Sequence, residues 1–255
     1  MKNLSLCLIL TLSVLFSCKD KPTEPVKEIE KPETLAPLKP LADTDLVELS
    51  PEFEAFLIKE KIDPDANANG SIRYGLVKNV DSLNIFMLGS KRSVKGLEYF
   101  TNLRSLSFDL YQVPTDNSNN YSWATGGANK EYRAPIDTLD VRYNVNLEYL
   151  NVSGKSDGGG YKASIGFLKL GDNTKLKTLI SQFGMMNQID LSGLVNLENL
   201  DLSDCYSLKS LSFCTNSKLK NLIAHRAEKL YVPDPNKVDP ALAERAAGAT
   251  FYKCL

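Results

Sequence analysis

Histidine is nearly absent from these 255 residues: His225 is the only one. A Ser–His–Asp arrangement would have to be built on it, and no Gly-x-Ser-x-Gly elbow, phosphate loop or dinucleotide fingerprint is present. Carboxylates paired across strands, such as Asp201 with Asp109, are the remaining route to acid–base chemistry, and nothing in the pattern singles them out. An excess of one charge is also missing. The net charge is −1 and there is no long basic run, which argues against a nucleic-acid partner. Cysteine is scarce: beyond Cys7 and Cys18 there are only Cys205, Cys214 and Cys254. Their number and spacing fit neither a zinc site nor a dense disulfide framework. They read mainly as small core residues, with one disulfide left open. No apolar run is long enough to span a bilayer comfortably. The longest, residues 4–16, follows the positive Lys2 and has the length of a signal-peptide core.

That run ends in Leu15-Phe16-Ser17-Cys18, which resembles the lipobox of bacterial lipoproteins. The resemblance implies cleavage before Cys18, lipidation of its thiol and usually of its new amino group, and a membrane contact made through this anchor alone. Several acyl chains hold where one binds only marginally. Residues 1–17 are then the signal peptide. Residues 18–45 carry Pro22, Pro25, Pro32, Pro37 and Pro40 among Lys and Glu. Such a composition cannot bury a core and reads as a disordered tether. Lys19-Asp20-Lys21 is similar to the charged export tag of Bacteroidota surface lipoproteins. Asp20 falls at the third mature position, not at the second, where an Asp retains enteric lipoproteins in the inner membrane. An outer-membrane lipoprotein is therefore expected, with its folded part on the cell surface or facing the periplasm.

The strongest positive signal is an internal repeat of the form Leu-x-x-Leu-x-Leu. It runs through Leu147-Leu150-Val152, Ile165-Leu168-Leu170, Leu176-Leu179, Met186-Ile189-Leu191, Leu197-Leu200-Leu202, Leu208-Leu211-Phe213 and Leu219-Leu222. Earlier copies begin at Val80, Leu103 and Ile136. Alternation within each copy predicts a short strand with one buried face. Consecutive starts about 11 residues apart are too close for a full coil, so two copies make one. One lies on a sheet and the next on the opposite side. Here the chain resembles the leucine-rich-repeat family, in particular its internalin-like and Bacteroidota lipoprotein members, over residues 48–232. Gly96-Leu97-Glu98-Tyr99-Phe100-Thr101-Asn102-Leu103 is very like their linker between repeats. The resemblance implies a repeat solenoid of mainly short parallel β-strands, with an irregular convex side, small helical caps and a binding rather than catalytic role. Concave strands are expected at 80–86, 103–109, 147–153, 176–182, 197–203 and 219–225. Position nine of the family repeat is usually Asn or Cys. Counted from the concave strands it is Cys205 in one coil, but Tyr111, Lys155, Gly184 and Ala227 in others, which implies an incomplete polar ladder.

A solenoid needs caps at both ends. Residues 46–78 form the N-terminal one, in which Ser50-Pro51-Glu52 starts a helix with an apolar stripe of Phe53, Phe56, Leu57 and Ile62. Residues 79–232 are the repeat domain. Residues 233–255 form the C-terminal cap, with a short helix at 240–247 and a closing strand at 250–255. Asp65-Ala66-Asn67-Ala68-Asn69-Gly70-Ser71-Ile72 resembles the first two-thirds of a calcium loop. Asp65, Asn67 and Asn69 are its candidate metal ligands, although Arg73 and Leu76 stand at positions nine and twelve, where a bidentate Glu is missing. No other cofactor is implied. On the concave face Phe86, Asp109, Tyr149, Asn151, Gln182, Asp201 and His225 point outward, and Tyr121 and Trp123 lie in an insertion between Phe108 and Ile136. Aromatics on loops serve as interface anchors. The expected function is protein binding. Carbohydrate binding, with the aromatics stacking on sugar rings, and an envelope structural role without a specific ligand are the alternatives.

Overall fold

The computed structural model describes residues 35–86, 93–109, 136–154, 165–184, 186–225, 227–238, 246 and 248–254. The expected signal peptide, Cys18 and the first part of the expected tether lie outside them. So do Tyr111, Tyr121, Trp123, Lys155 and most of the expected 240–247 helix. Among the described residues no helix is long and apolar enough to cross a membrane.

The chain is a repeat solenoid of mainly short parallel β-strands. Its spine is a six-stranded parallel sheet built from β3 (Ser82–Phe86), β4 (Ser105–Asp109), β6 (Tyr149–Asn151), β8 (Thr178–Ile180), β9 (Asn199–Asp201) and β11 (Asn221–Ile223), side by side in chain order. Each strand falls inside one of the six expected spans. The middle leucines pair across the whole sheet, Leu83 with Leu106, then Leu150, Leu179, Leu200 and Leu222. All six are at most 4% exposed. A one-residue slip would move this entire row to solvent, so the register is strongly determined.

The intervening copies bury the other side of the same core. They form two smaller parallel arrays. One pairs β5 (Ile136–Asp140) with β7 (Ile165–Lys169). The other orders β10 (Ser210–Ser212), β12 (Lys229–Val232) and β13 (Thr250–Lys253). Between them the 186–191 copy buries Met186, Ile189 and Leu191 without forming a strand.

Position nine explains how the turns are satisfied, and it corrects the sequence reading. Counted from Ile136, Ile165 and Leu208, the copies opposite the large sheet, it is Asn144, Asn173 and Asn216. All three are buried. Asn144 Nδ2 donates to the carbonyls of Leu97 and Phe100 at 2.9 and 3.0 Å, one coil back. Asn173 Nδ2 reaches the Asn144 carbonyl at 2.9 Å, and Asn216 Nδ2 the carbonyls of Leu191 and Leu194, each at 2.9 Å. The ladder is therefore sparse in the turns that follow the large sheet, and on the opposite side it is interrupted at the 186–191 copy, where position nine is the buried Leu194. In the turns after the large sheet Gly184 and Ala227 accompany Cys205, whose Sγ donates to the Ser181 carbonyl at 2.9 Å.

At the N-terminal end β1 (Leu46–Glu48) pairs antiparallel with β2 (Ser71–Arg73), and α1 (Pro51–Lys59) lies between them in sequence. Pro51 is preorganised for a helix start, but Ser50 does not cap it. Its hydroxyl donates to the Ser93 carbonyl at 2.7 Å. Phe53 meets Phe100 with ring centroids 5.5 Å apart, which ties the helix to the first coil. The tether ends earlier than its composition implied. Leu41 packs on the core, Tyr143 donates its hydroxyl to the Ala36 carbonyl at 2.7 Å, and the Asp43 carbonyl accepts from Gly75 N at 3.0 Å. At the C-terminal end β13 closes the array as the expected final strand. A disulfide joins Cys214 to Cys254, 40 residues apart, so of the three late cysteines only Cys205 remains a buried free thiol.

Candidate binding face

Alternation in the six-stranded sheet turns every second side chain away from the leucine core. In-register pairing arranges these side chains in rows. One row is Ser82, Ser105, Tyr149, Thr178, Asn199 and Asn221. The next is Asn84, Ser107, Asn151, Ile180, Asp201 and Ile223. Gln182, Ser203 and His225 continue beyond the strand ends. Tyr149, Asn151, Gln182 and Asp201 are half-buried, and His225 is exposed.

Several of these groups hold one another. Asp201 Oδ2 accepts from Gln182 Nε2 at 2.6 Å, and its Oδ1 accepts from Ser203 N at 2.9 Å and Ser203 Oγ at 2.5 Å. Asn199 donates to Thr178 Oγ1 at 3.2 Å, and Asn221 donates to Asn199 Oδ1 at 2.6 Å. The Asp201 carboxylate is thus a fixed acceptor. Tyr149, Ile180 and Ile223 are partly exposed apolar groups set among these polar ones.

Along one flank, just before the strands, runs a rail of ion pairs. Glu148 takes Arg104 at 2.5 Å and Lys177 at 3.0 Å, and Glu198 takes Lys220 at 2.9 Å. Hydrogen bonds from Lys177 and Arg104 hold the Glu148 carboxyl below its usual range, and the bond from Lys220 does the same for Glu198. Both sites are solvent-facing, so the rail contributes little to stability and mainly sets the charge pattern beside the face.

The structure separates several residues that the sequence grouped together. Phe86 does not stand free. Its ring meets Phe56 edge-on at 5.3 Å and carries Lys59 Nζ 4.1 Å above its centroid, so the N-terminal cap takes up much of it. Asp109 and Asp201 lie on β4 and β9, with β6 and β8 between them. Three strand steps amount to about 14 Å, too far for a cooperating acid–base pair. Asn67 is exposed and stands apart from the cavity that Asp65 and Asn69 line. Sequence reading missed Asp63 and Glu54, both buried in the cap. Only Glu54 carried a mark, as an acid within the apolar segment 53–58.

No protein-family model and no curated protein matches the chain. Among solved structures it is similar to an internalin (InlF) of Listeria monocytogenes, at 14% identity and a TM-score of 0.28, over 76% of this chain and 66% of that one. It is similar also to the functional domain of Listeria monocytogenes InlJ, at 13% identity and a TM-score of 0.23, over 84% of this chain and 62% of that one. A third is internalin C2 of the same organism, at 15% identity and a TM-score of 0.21, over 84% of this chain and 100% of that one. The chain thus spans about two-thirds of the first and less of the second. The fold assignment rests on the strand register and the ladder described above.

Proposed function

We propose that this is an exported, lipid-anchored leucine-rich-repeat protein of Bacteroidota type that binds a protein partner through the outward face of its six-stranded sheet. The observation that carries this reading is the face itself. Tyr149, Ile180 and Ile223 sit among small polar groups whose geometry is already fixed around Asp201. Partly exposed apolar anchors ringed by satisfied polar groups are the arrangement of a protein interface, and a rigid surface loses little entropy on binding. Binding rather than catalysis is favoured by the lone exposed His225 and by the separation of Asp109 from Asp201. Export is supported by the Cys214–Cys254 disulfide, since such bonds persist in oxidising compartments, and by the lipobox-like segment ending at Cys18. Outer-membrane display follows from the charged residues behind Cys18.

The test is affinity capture with the full chain, beside a variant carrying Tyr149→Ser, Ile180→Ser and Ile223→Ser. The variant should keep its circular dichroism spectrum and bind the captured protein about 10–100-fold more weakly. Unchanged affinity in the folded variant refutes the assignment of the face. Capture of a glycan in place of a protein replaces the partner class. Replacing Cys18 with Ser should release the protein from the membrane fraction.

A further inference from the structure

The flank that carries the rail of ion pairs has a charge pattern that is its own complement. One residue per coil stands in its outer row: Asp81, Arg104, Glu148, Lys177, Glu198 and Lys220. They are in register, because each backbone N–H donates to the carbonyl of the one before, from Arg104 N to Asp81 O at 2.8 Å through to Lys220 N to Glu198 O at 2.9 Å. Their signs alternate without a break, negative first and positive last. Five strand steps make the row about 24 Å long. Pairing within the chain is uneven along it. Glu148 takes two cations and Glu198 takes one. Asp81 is exposed, and among the described residues it takes none.

Two such rows laid side by side in the same direction set like charge against like. A two-fold axis that crosses the row between Glu148 and Lys177 reverses one of them and sets every acid against a base. Asp81 then meets the partner's Lys220, Arg104 the partner's Glu198, and Glu148 the partner's Lys177. The neighbouring rows obey the same operation. Two residues earlier in each coil stand Asn79, Asn102, Asn146, Lys175, Asn196 and Lys218. The two lysines fall opposite Asn146 and Asn79, so no cations meet. Asn146 and Asn196 are already fixed, since their Nδ2 groups donate to the Thr101 and Thr174 carbonyls at 2.8 and 2.6 Å. One residue further back, Val145 and Val195 are 49% and 41% exposed, and they fall opposite Thr174 and Thr101.

The relief of the flank is complementary as well. An open groove of about 530 Å³ runs over the first half, lined by Asn79, Asp81, Asn102, Arg104, Asn146 and Glu148, with Lys175 beside them. Over the second half the Lys177 and Lys220 side chains stand out, 56% and 68% exposed. A two-fold lays each half on the other, so projecting lysines enter the groove that holds the unpaired acid. We propose that this flank is the interface of a two-fold homodimer, with Asp81 and Lys220 as its outer contacts. Complementary charge of this kind selects the partner and its orientation more than it adds affinity. A row this short covers less than the roughly 800 Å² per partner of a stable complex, so the dimer is weak and reversible. The flank lies beside the outward face of the six-stranded sheet, which stays open to a different partner.

The experiment is sedimentation equilibrium of the full chain at low ionic strength, from about 10 μM to about 1 mM, a range that spans weak association. The average mass should climb from one chain towards two as concentration rises. Asp81→Lys sets two cations together at both ends of the dimer, and Lys220→Asp sets two acids together there. Both positions are exposed, so each variant keeps its fold. Each alone should associate at least about tenfold more weakly than the native chain. An equimolar mixture of the two should associate about as tightly as the native chain, because each variant then carries the charge that the other lost. A native mass of one chain at every concentration overturns the proposal. So does native-like association of either variant alone, or a mixture no tighter than its components.

Discussion

Replacing Asn216 with Ala tests the account of how the coils are held together. The side chain is 4% exposed, and its Nδ2 is bonded to the carbonyls of Leu191 and Leu194, each at 2.9 Å. Both carbonyls keep a backbone donor, Leu194 N and Leu197 N at 3.0 Å, so each lost bond costs about 0.5–1.5 kcal/mol. Removing the buried, unpaired Asn216 Oδ1 is favourable and the volume it vacates is unfavourable, and the two offset. The net loss is about 1–3 kcal/mol. For a folded part of this size each kcal/mol moves the melting midpoint by about 2–4 °C, so a fall of about 2–12 °C is expected. The control is Asn196→Ala. Asn196 Nδ2 makes a bond of the same kind to the Thr174 carbonyl at 2.6 Å, but at an exposed position where water replaces it. That variant should move by no more than about 2 °C. Thermal unfolding followed by far-ultraviolet circular dichroism measures both. Equal shifts in the two variants would refute the argument, because burial would then not be what gives the ladder its value.

Reduction of Cys214–Cys254 releases a 40-residue closure, for which chain entropy sets a loss of up to about 4 kcal/mol. Cys254→Ser should lower the melting midpoint, reductant should do the same to the native protein, and a midpoint indifferent to both would show that the crosslink carries no stability. Gly193→Ala should destabilise through backbone collision, since an added Cβ would lie 2.1 Å from the Gly171 carbonyl oxygen of the preceding coil. A melting curve identical to that of the native protein would mean that the coils do not approach this closely. Burial raises the Cys205 thiol from 9.0 to about 11, with the Asp201 and Asp204 charges adding to the rise and the backbone contact at Gly184 opposing it. A pKa raised on folding gives stability that is complete below about pH 9 and lost as pH climbs towards 11. Alkylation of Cys205 at pH 8 should therefore follow unfolding, and rapid labelling of the native protein would contradict its burial.

Much of the fold is legible in the repeat. Leucines at alternate positions can bury only one face of a strand, and copies about 11 residues apart must fall on two sides of the core. That logic placed all six strands of the large sheet, each inside its expected span, from Ser82–Phe86 to Asn221–Ile223. The outward positions of Tyr149, Asn151 and Asp201 follow from the same alternation. The Asn ladder was also written in the sequence, at position nine from Ile136, Ile165 and Leu208. It is overlooked when the count starts only from the large-sheet strands.

Other features depend on which distant segments meet, and no local pattern records that. The cysteines at 214 and 254 pair because β13 returns beside β12, itself the neighbour of β10. Phe86 is covered because Phe56 and Lys59 of the cap helix lie against it. Asp109 and Asp201 are parted by two intervening strands. Asp63 becomes a buried acid in the folded cap, and Glu54 reaches across 15 residues to shape the loop beside it. Alone, then, the sequence determined the repeat and the buried face, because periodicity is a local property of the chain, whereas the register across the insertions came from the folded sheet. Tertiary structure decided which polar and aromatic groups remain free to act, because burial and pairing are properties of the neighbours that folding brings together.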